Sequence, residues 1–488
     1  MVLKEGEGQD KYLLWGLTIC LTAAYAGLCF NDSVWADEAY TMLLVQKPWP
    51  EAWRLLLSDV HPPLYYIIVK LVCTVFGYQI PVVKGISAFF IFLTMLLGIT
   101  RVYPDYGRKT ALLYIAVVGL MPQLLRHGVE LRMYPQAMFF VTACGLLAVS
   151  LWRRQGERAS LRQWIGFWAA GVAAAYTHYY GLVAVAWIYG LLLWCFAYVF
   201  YRERRRTCLA LKVLKDKILS QGIRRWFLCL FASIAAYLPW LFVFLRQTSQ
   251  VGETYWIEQP SLRTVVRWAG WLFKTEVMPV SILYTLVFVL GFLWLLWRGM
   301  AGRREELLSG AAGYGVLLLT VLTGLSATLL FRPVFIPRYM IPAAGLAAFG
   351  LAVFEAQLPR RLTALLCGLM LLVGGLGYRD VWREEYGTQT AETRSELEQL
   401  LKPGDRLVYD YEHIGFVLKY YYPDYEVEYW ADTDWNESGD VWYCQCFREL
   451  TEERMEEMGL GWTLVGEYGL DEYSFRLYRI QSVVSGAS

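Results

Sequence analysis

Long apolar segments at regular intervals leave this chain few ways to fold. Twelve of them, at 12–30, 62–76, 81–100, 110–125, 136–152, 164–176, 182–200, 226–245, 280–297, 310–330, 340–355 and 362–378, follow one another along the sequence. Most approach the ~20 residues a helix needs to cross a hydrocarbon core about 30 Å thick. In lipid every backbone N–H and C=O must be satisfied within the segment, so such blocks become helices. Aromatic residues make up 16% of the chain, and many stand at block edges, where amphipathic rings favour the headgroup layer. Only 18% of residues are charged, below the roughly one quarter usual in soluble proteins. The fold class is an all-α polytopic membrane protein.

Lys and Arg in the short loops give the expected topology, because such loops stay cytoplasmic. The basic connections are 101–109, 153–162, 202–225, 298–304 and 360–361. If all twelve segments crossed, these would lie opposite the amino terminus with its Lys4 and Lys11. If 62–76 does not cross, all fall on the amino-terminal side. That segment is short, opens with His61-Pro62-Pro63 and contains Lys70, so it reads as an interfacial helix. About eleven spans result, with the amino terminus cytoplasmic. The first segment is longer than a signal-peptide core and is followed by many more, so it reads as a retained anchor.

Residues 379–488 differ in character. They hold 24 Asp and Glu against 10 Lys and Arg, while the remainder holds 19 against 35. Alternating segments at 406–411, 426–430, 441–446, 462–468 and 473–480 read as strands, and 392–401, 414–421 and 449–458 as helices. The expectation is a transmembrane body, 1–378, whose outer loop 31–80 contains the interfacial helix 62–76, followed by a small extracytoplasmic α/β domain, 379–488. No nucleic-acid partner is expected, since positive-inside topology accounts for most of the basic residues. Most of the ten cysteines lie in apolar blocks, and neither Cys444 nor Cys446 has zinc or redox spacing.

The connections expected outside carry the unusual polar residues. The first has Trp35-Ala36-Asp37-Glu38-Ala39-Tyr40, and paired carboxylates at a membrane boundary are costly unless solvated, paired or used. They would equally suit a helix amino terminus. His61 precedes Pro62-Pro63-Leu64-Tyr65-Tyr66, as a cap residue or an anion ligand. The second loop holds Glu130, Arg132 and Tyr134, suited to sugar hydroxyls or a cation, to phosphate, and to an aromatic belt. An interfacial salt bridge is the alternative. His178 and Tyr179 lie in a third turn, where a hairpin needs no imidazole. Arg338 and Tyr339 open a late span, and that guanidinium either snorkels or binds phosphate bidentately.

Taken in order, the acidic pair, the His-Pro-Pro-Leu-Tyr-Tyr segment, the Glu-x-Arg-x-Tyr loop and the Arg-Tyr pair resemble the GT-C superfamily of membrane glycosyltransferases. The likeness is to protein O-mannosyltransferases and the bacterial aminoarabinose-to-lipid-A transferases. It implies an inverting transfer from a polyprenyl-phosphate sugar donor to an acceptor at the outer membrane face. Asp37 would be the base or orient the acceptor, with Glu38 supporting it. Arg132, Arg338, His61 and His178 would hold the donor phosphate, and Glu130, Tyr134, Tyr179 and Tyr339 would line the substrate site. The chain has no segment for the large inserted domain of eukaryotic O-mannosyltransferases. A glycolipid or cell-wall glycan is therefore as good an acceptor as a protein, and a bacterial plasma membrane is favoured.

Metal dependence stays open, because oligosaccharide-transferring relatives hold a divalent cation by carboxylates and no His/Cys cluster has a zinc spacing. The rival readings are a flippase or transporter for a lipid-linked sugar, a glycan polymerase or ligase, and a non-catalytic sensor. Transporters place ionisable residues at mid-bilayer and often show repeated halves, neither of which is evident. A polymerase or ligase would centre on a large late loop rich in Arg and His, and 246–279 is modest and lacks His.

Overall fold

The computed structural model describes residues 5–482 apart from 32, 155–158, 205–208, 251–256, 258, 303, 436–439 and 448–449, with only the backbone at 5–7, 199–204, 209–220, 250 and 481–482. Parts of the expected basic connections 153–162, 202–225 and 298–304, of the loops 31–80 and 246–279, and of the helix 449–458 lie outside the described residues. The chain divides into two compact units. One comprises Met1–Gly27, Trp53–Ile68 and Lys84–Asp380; the other comprises Leu28–Ala52, Val69–Val83 and Val381–Ser488.

The first unit is helical. Among the described residues nine helices are long and apolar enough to cross a membrane, making this an integral membrane protein. One run, Ile80–Leu120, has 41 residues, about twice what a single crossing requires. It is broken by a π turn at Gly98–Val102 and by Gly107, whose φ of +79° is open to glycine without steric cost. Beyond Gly107 the chain folds back, so that Tyr114 Oη donates to the Thr94 carbonyl at 3.0 Å. The run is therefore two antiparallel passes. The helix Leu161–Thr177, with 17 residues, falls just short of the same length. Counting both gives eleven among the described residues, the number expected from the sequence.

The core of this unit is Ile341–Ala356, a helix whose residues are buried from Ile341 to Glu355. Such all-round burial needs close neighbours, and glycines supply them. A Cβ at Gly313 would stand 2.4 Å from the Leu346 carbonyl oxygen, and one at Gly345 would stand 2.2 Å from Thr142 Oγ1. The central helix thus meets Glu305–Leu330 and Tyr134–Arg153 nearly backbone to backbone. Its amino-terminal end carries the short 3-10 turn Pro337–Met340, which includes Arg338 and Tyr339.

The second unit holds a five-stranded sheet of β1 (Arg406–Tyr409), β2 (Glu426–Tyr429), β3 (Val441–Gln445), β4 (Leu460–Leu470) and β5 (Tyr473–Ser482), in the order β2-β1-β3-β5-β4. The strands at β1 pair in parallel with β2 and β3, while β5 is antiparallel to β3 and β4. Each strand lies within a residue or two of its expected position. The expected helices are found at Thr390–Leu400, Glu412–Tyr421 and Glu452–Glu457. Val408, Tyr443, Met455 and Tyr478 are among the buried core residues.

This unit also takes in 28–52, part of the first loop. That segment forms the helix Ala36–Gln46, which packs on Glu412–Tyr421, with Tyr40 edge-on to Phe416 at 5.4 Å. Lys70 closes the far end of Ala36–Gln46 by donating to the carbonyls of Val45 at 2.7 Å and Lys47 at 2.5 Å. A cation there complements the negative end of the helix dipole.

Candidate functional site

Three polar loops of the first unit meet at one place. The loop between Pro122–His127 and Tyr134–Arg153 carries Glu130 and Arg132. Ser87 fixes its backbone, donating to the Glu130 carbonyl at 2.5 Å. The loop starts at Gly128, where a Cβ would sit 2.4 Å from the Leu124 carbonyl oxygen, so a larger residue would push it away. Gln136 then donates to Thr177 Oγ1 at 2.9 Å, joining this helix to the turn that holds His178.

Arg132, 3% exposed, places Nη2 3.5 Å from His61 Nε2. His61 Nδ1 lies 3.4 Å from Asp59 Oδ2. Burial pushes the Asp59 carboxyl up, but His61, the Val60 N–H and Arg132 outweigh it and hold the group below its ordinary range. The His61 and His178 rings are 6.1 Å apart. Around His178 stand Tyr134 at 5.4 Å and Tyr339 at 5.2 Å, with Tyr180 stacked on Tyr339 at 4.8 Å. Arg338 lies 5.9 Å from the centre of the Tyr134 ring. Burial, followed by the charges of His61, Arg132 and Arg338, holds His178 well below the usual imidazole value. The charges of Arg132 and Arg338 thus favour a neutral His178.

Glu130 turns to His127, whose Nδ1 is 2.6 Å from Glu130 Oε2. Burial opposes the charge on Glu130, but His127, Arg338 and Arg126 stabilise it, so its carboxyl stays below its ordinary value. Tyr179 faces another way. Its hydroxyl donates to Gln247 Oε1 and receives the Trp240 Nε1–H at 3.3 Å. Thus Arg132, Arg338, His61, His178, Glu130, Tyr134 and Tyr339 converge, and Tyr179 is tied to a neighbouring network.

In the second unit Asp37 and Glu38 occupy the first turn of Ala36–Gln46. They are not equivalent. Glu38 is buried and accepts the Trp35 backbone N–H at 3.3 Å on Oε2, the helix-capping role open to either residue from sequence. Asp37 is half-buried and interacts electrostatically with Glu472 and Tyr473. Among the described residues no three or more His, Cys, Asp or Glu side chains come together to hold a metal ion.

From sequence, Asp59 and His127 stand beside the candidate residues with no role of their own, and Lys84 is left out. Lys84 is fully buried one helical turn before Ser87, which puts it on the face that meets the Glu130–Arg132 loop. A lysine inside an apolar block was the available signal.

No family model matches the sequence, and no curated protein matches it. Among solved structures, ArnT from Cupriavidus metallidurans in the apo state aligns over 98% of this chain and 98% of its own, with a TM-score of 0.61 and 14% identity. The same protein bound to undecaprenyl phosphate aligns over 96% of this chain and 97% of its own, with a TM-score of 0.58 and 15% identity. Sequence identity this low speaks to architecture, and the end-to-end coverage includes both the helical body and the small sheet. The chain has an ArnT-like fold.

Proposed function

We propose that this protein is an integral-membrane glycosyltransferase that moves a sugar, with inversion, from a polyprenyl-phosphate carrier to an acceptor at the outer membrane face. The observation that carries the reading is the meeting of Arg132 and Arg338 with His61, His178 and a wall of tyrosines on an ArnT-like fold. ArnT itself has been crystallised with undecaprenyl phosphate. Two guanidinium groups suit a phosphate, which they bind through paired N–H donors. The amino-terminal end of the helix Ile341–Ala356, where Arg338 stands, adds backbone dipoles of the same sign.

In the proposed reaction an acceptor hydroxyl attacks the anomeric carbon as the bond from that carbon to the phosphate oxygen breaks. The electron pair of that bond leaves with the polyprenyl phosphate. Arg132 and Arg338 stabilise the charge that grows on the leaving oxygen, a role worth most where water is excluded. His178 adds a neutral N–H donor. The acceptor proton passes to a carboxylate, and Asp37 is the better candidate because Glu38 is committed to its helix. The tyrosines offer ring faces and hydroxyls to the sugar. A bacterial plasma membrane, a cytoplasmic amino terminus and an acceptor of glycolipid, cell-wall glycan or protein type complete the proposal.

The test is turnover of radiolabelled polyprenyl-phosphate sugars by the purified protein in lipid nanodiscs, with Asp37→Asn in parallel. Transfer or donor hydrolysis that the variant lacks would support the reading. Donor movement across the bilayer without cleavage would favour a flippase, and no interaction with any donor would remove the transferase reading.

A further inference from the structure

The segment carrying Asp37 follows the first span by only a few residues, yet it folds as part of the carboxy-terminal α/β unit. Two attachments account for this. Asn31 folds the chain into a turn, donating Nδ2–H to the Leu28 carbonyl at 2.8 Å and accepting the Ser33 N–H on Oδ1 at 3.1 Å. Ser33 Oγ then donates to Asp471 Oδ1, in the turn between β4 and β5. Asp471 has φ +53°, a left-handed conformation that Asp tolerates better than most residues, and its N–H donates to Thr390 Oγ1 at 2.7 Å. The turn is thereby fixed to the helix Thr390–Leu400.

The second attachment is Tyr40 against Phe416. Asp37 and Tyr40 are three residues apart on one helix, so they share a face. That face meets the α/β domain, where Asp37 acts on Glu472 and Tyr473, the two residues after Asp471. The position of the carboxylate is thus set by side chains from the last hundred residues of the chain.

We infer that the carboxy-terminal domain is a positioning device for the first-loop carboxylate, and that Phe416 and Asp471 are its positioning residues. The inference rests on the proposed role of Asp37 in transfer. It gives the α/β domain a part in the chemical step. Neither residue needs to touch substrate. They restrict where Asp37 stands, and a misplacement of about 1 Å can cost about 100-fold in rate.

The test uses the full chain in nanodiscs with Phe416→Ala, Phe416→Leu and Ser33→Ala, the last removing the donor to Asp471. Two readouts are taken: kcat with donor KM, and hydrogen–deuterium exchange over 36–46. The expected result for Phe416→Ala is a kcat lowered by about 10- to 100-fold with donor KM nearly unchanged, and faster exchange in 36–46. Leucine should recover most of kcat, and Ser33→Ala should show the same pattern in milder form. A merely structural role would lower the active fraction and leave kcat per active site, counted by active-site titration, and exchange over 36–46 in the folded protein at wild-type values. Exchange unchanged in both Phe416→Ala and Ser33→Ala would overturn the inference whatever the activity. So would wild-type kcat in those variants, or a loss shared equally by Phe416→Leu. Absence of turnover in the wild type would count against the proposed function, while the exchange readout would still decide whether these residues hold the loop.

Discussion

The Tyr180 backbone N–H donates to His178 Nδ1 at 3.0 Å. A neutral imidazole held this way carries its own proton on Nε2 and presents a donor on the opposite side. His178 therefore needs no positive charge to serve an anion. Because its folded value lies well below the ordinary 6.5, the neutral form persists under mildly acidic conditions. Transfer should not fall as pH rises through 6.5, and His178→Gln should keep more activity than His178→Ala in a pH–rate series. The depressed value also has a sign for stability. The stabilising contribution is present above 6.5 and is lost as pH falls through the folded value.

Arg132 and Arg338 offer a second test. Replacing either guanidinium by a point charge keeps the sign but loses the planar fork. Arg132→Lys and Arg338→Lys should each lower kcat/KM for the donor, and the alanine variants should lose about 10²–10³-fold, measured with the sugar donor in nanodiscs.

The two neighbouring carboxylates should separate cleanly. Asp37→Asn should cost about 10²–10⁴ in kcat with little change in melting temperature. Glu38→Gln should do the reverse, losing about 1 kcal/mol of stability through a weakened helix start and retaining turnover. Thermal unfolding and initial rates on the same preparations decide this.

The His127–Glu130 pair makes a prediction about stability. Both side chains are buried, with His127 Nδ1 2.6 Å from Glu130 Oε2. His127→Ala would leave a buried carboxylate without that partner, at a cost of about 3–5 kcal/mol. Glu130 also has a lowered value, so its stabilising contribution is present above the ordinary glutamate range and disappears as pH falls through the folded value. The pH dependence of thermal unfolding should weaken in Glu130→Gln.

Glu472 has the opposite sign. Burial raises its carboxyl above the ordinary 4.5, the Tyr473 hydroxyl lowers it in part, and Asp471 and Asp37 raise it further. Its neutral form is favoured by folding, so the associated stability is full below 4.5 and is lost as pH rises through the folded value. Glu472→Gln should unfold at a higher temperature than the wild type at neutral pH, and the difference should vanish in acid.

Much of this architecture could be read from the chain because its signals are local. An apolar block announces a span within its own twenty or so residues, and a short, largely apolar run such as Val441–Gln445 announces a buried strand. Arg132 and Arg338 were legible because a guanidinium beside an apolar block is costly. The allegiance of residues 28–52 was not legible, since it depends on Ser33 meeting Asp471 and Tyr40 meeting Phe416. Nor was the difference between Asp37 and Glu38, which share a sequence context and part company only in three dimensions. Lys84 passed unnoticed because a lysine near the start of a span usually snorkels, and only its position one turn from Ser87 directs it to the site.

The bond between Ser33 and Asp471 joins residues 438 positions apart. Translation proceeds at about 5–20 residues per second, so the loop waits roughly 20–90 s between its own synthesis and that of the turn it binds. During that time the later helices insert with the carboxylate-bearing segment lacking its bond to Asp471. A chain that stopped before Asp471 would keep the contact of Tyr40 with Phe416 and lack the bond from Ser33. The first loop and the turn between β4 and β5 are thus made far apart in time, and the bond between them forms only after both exist.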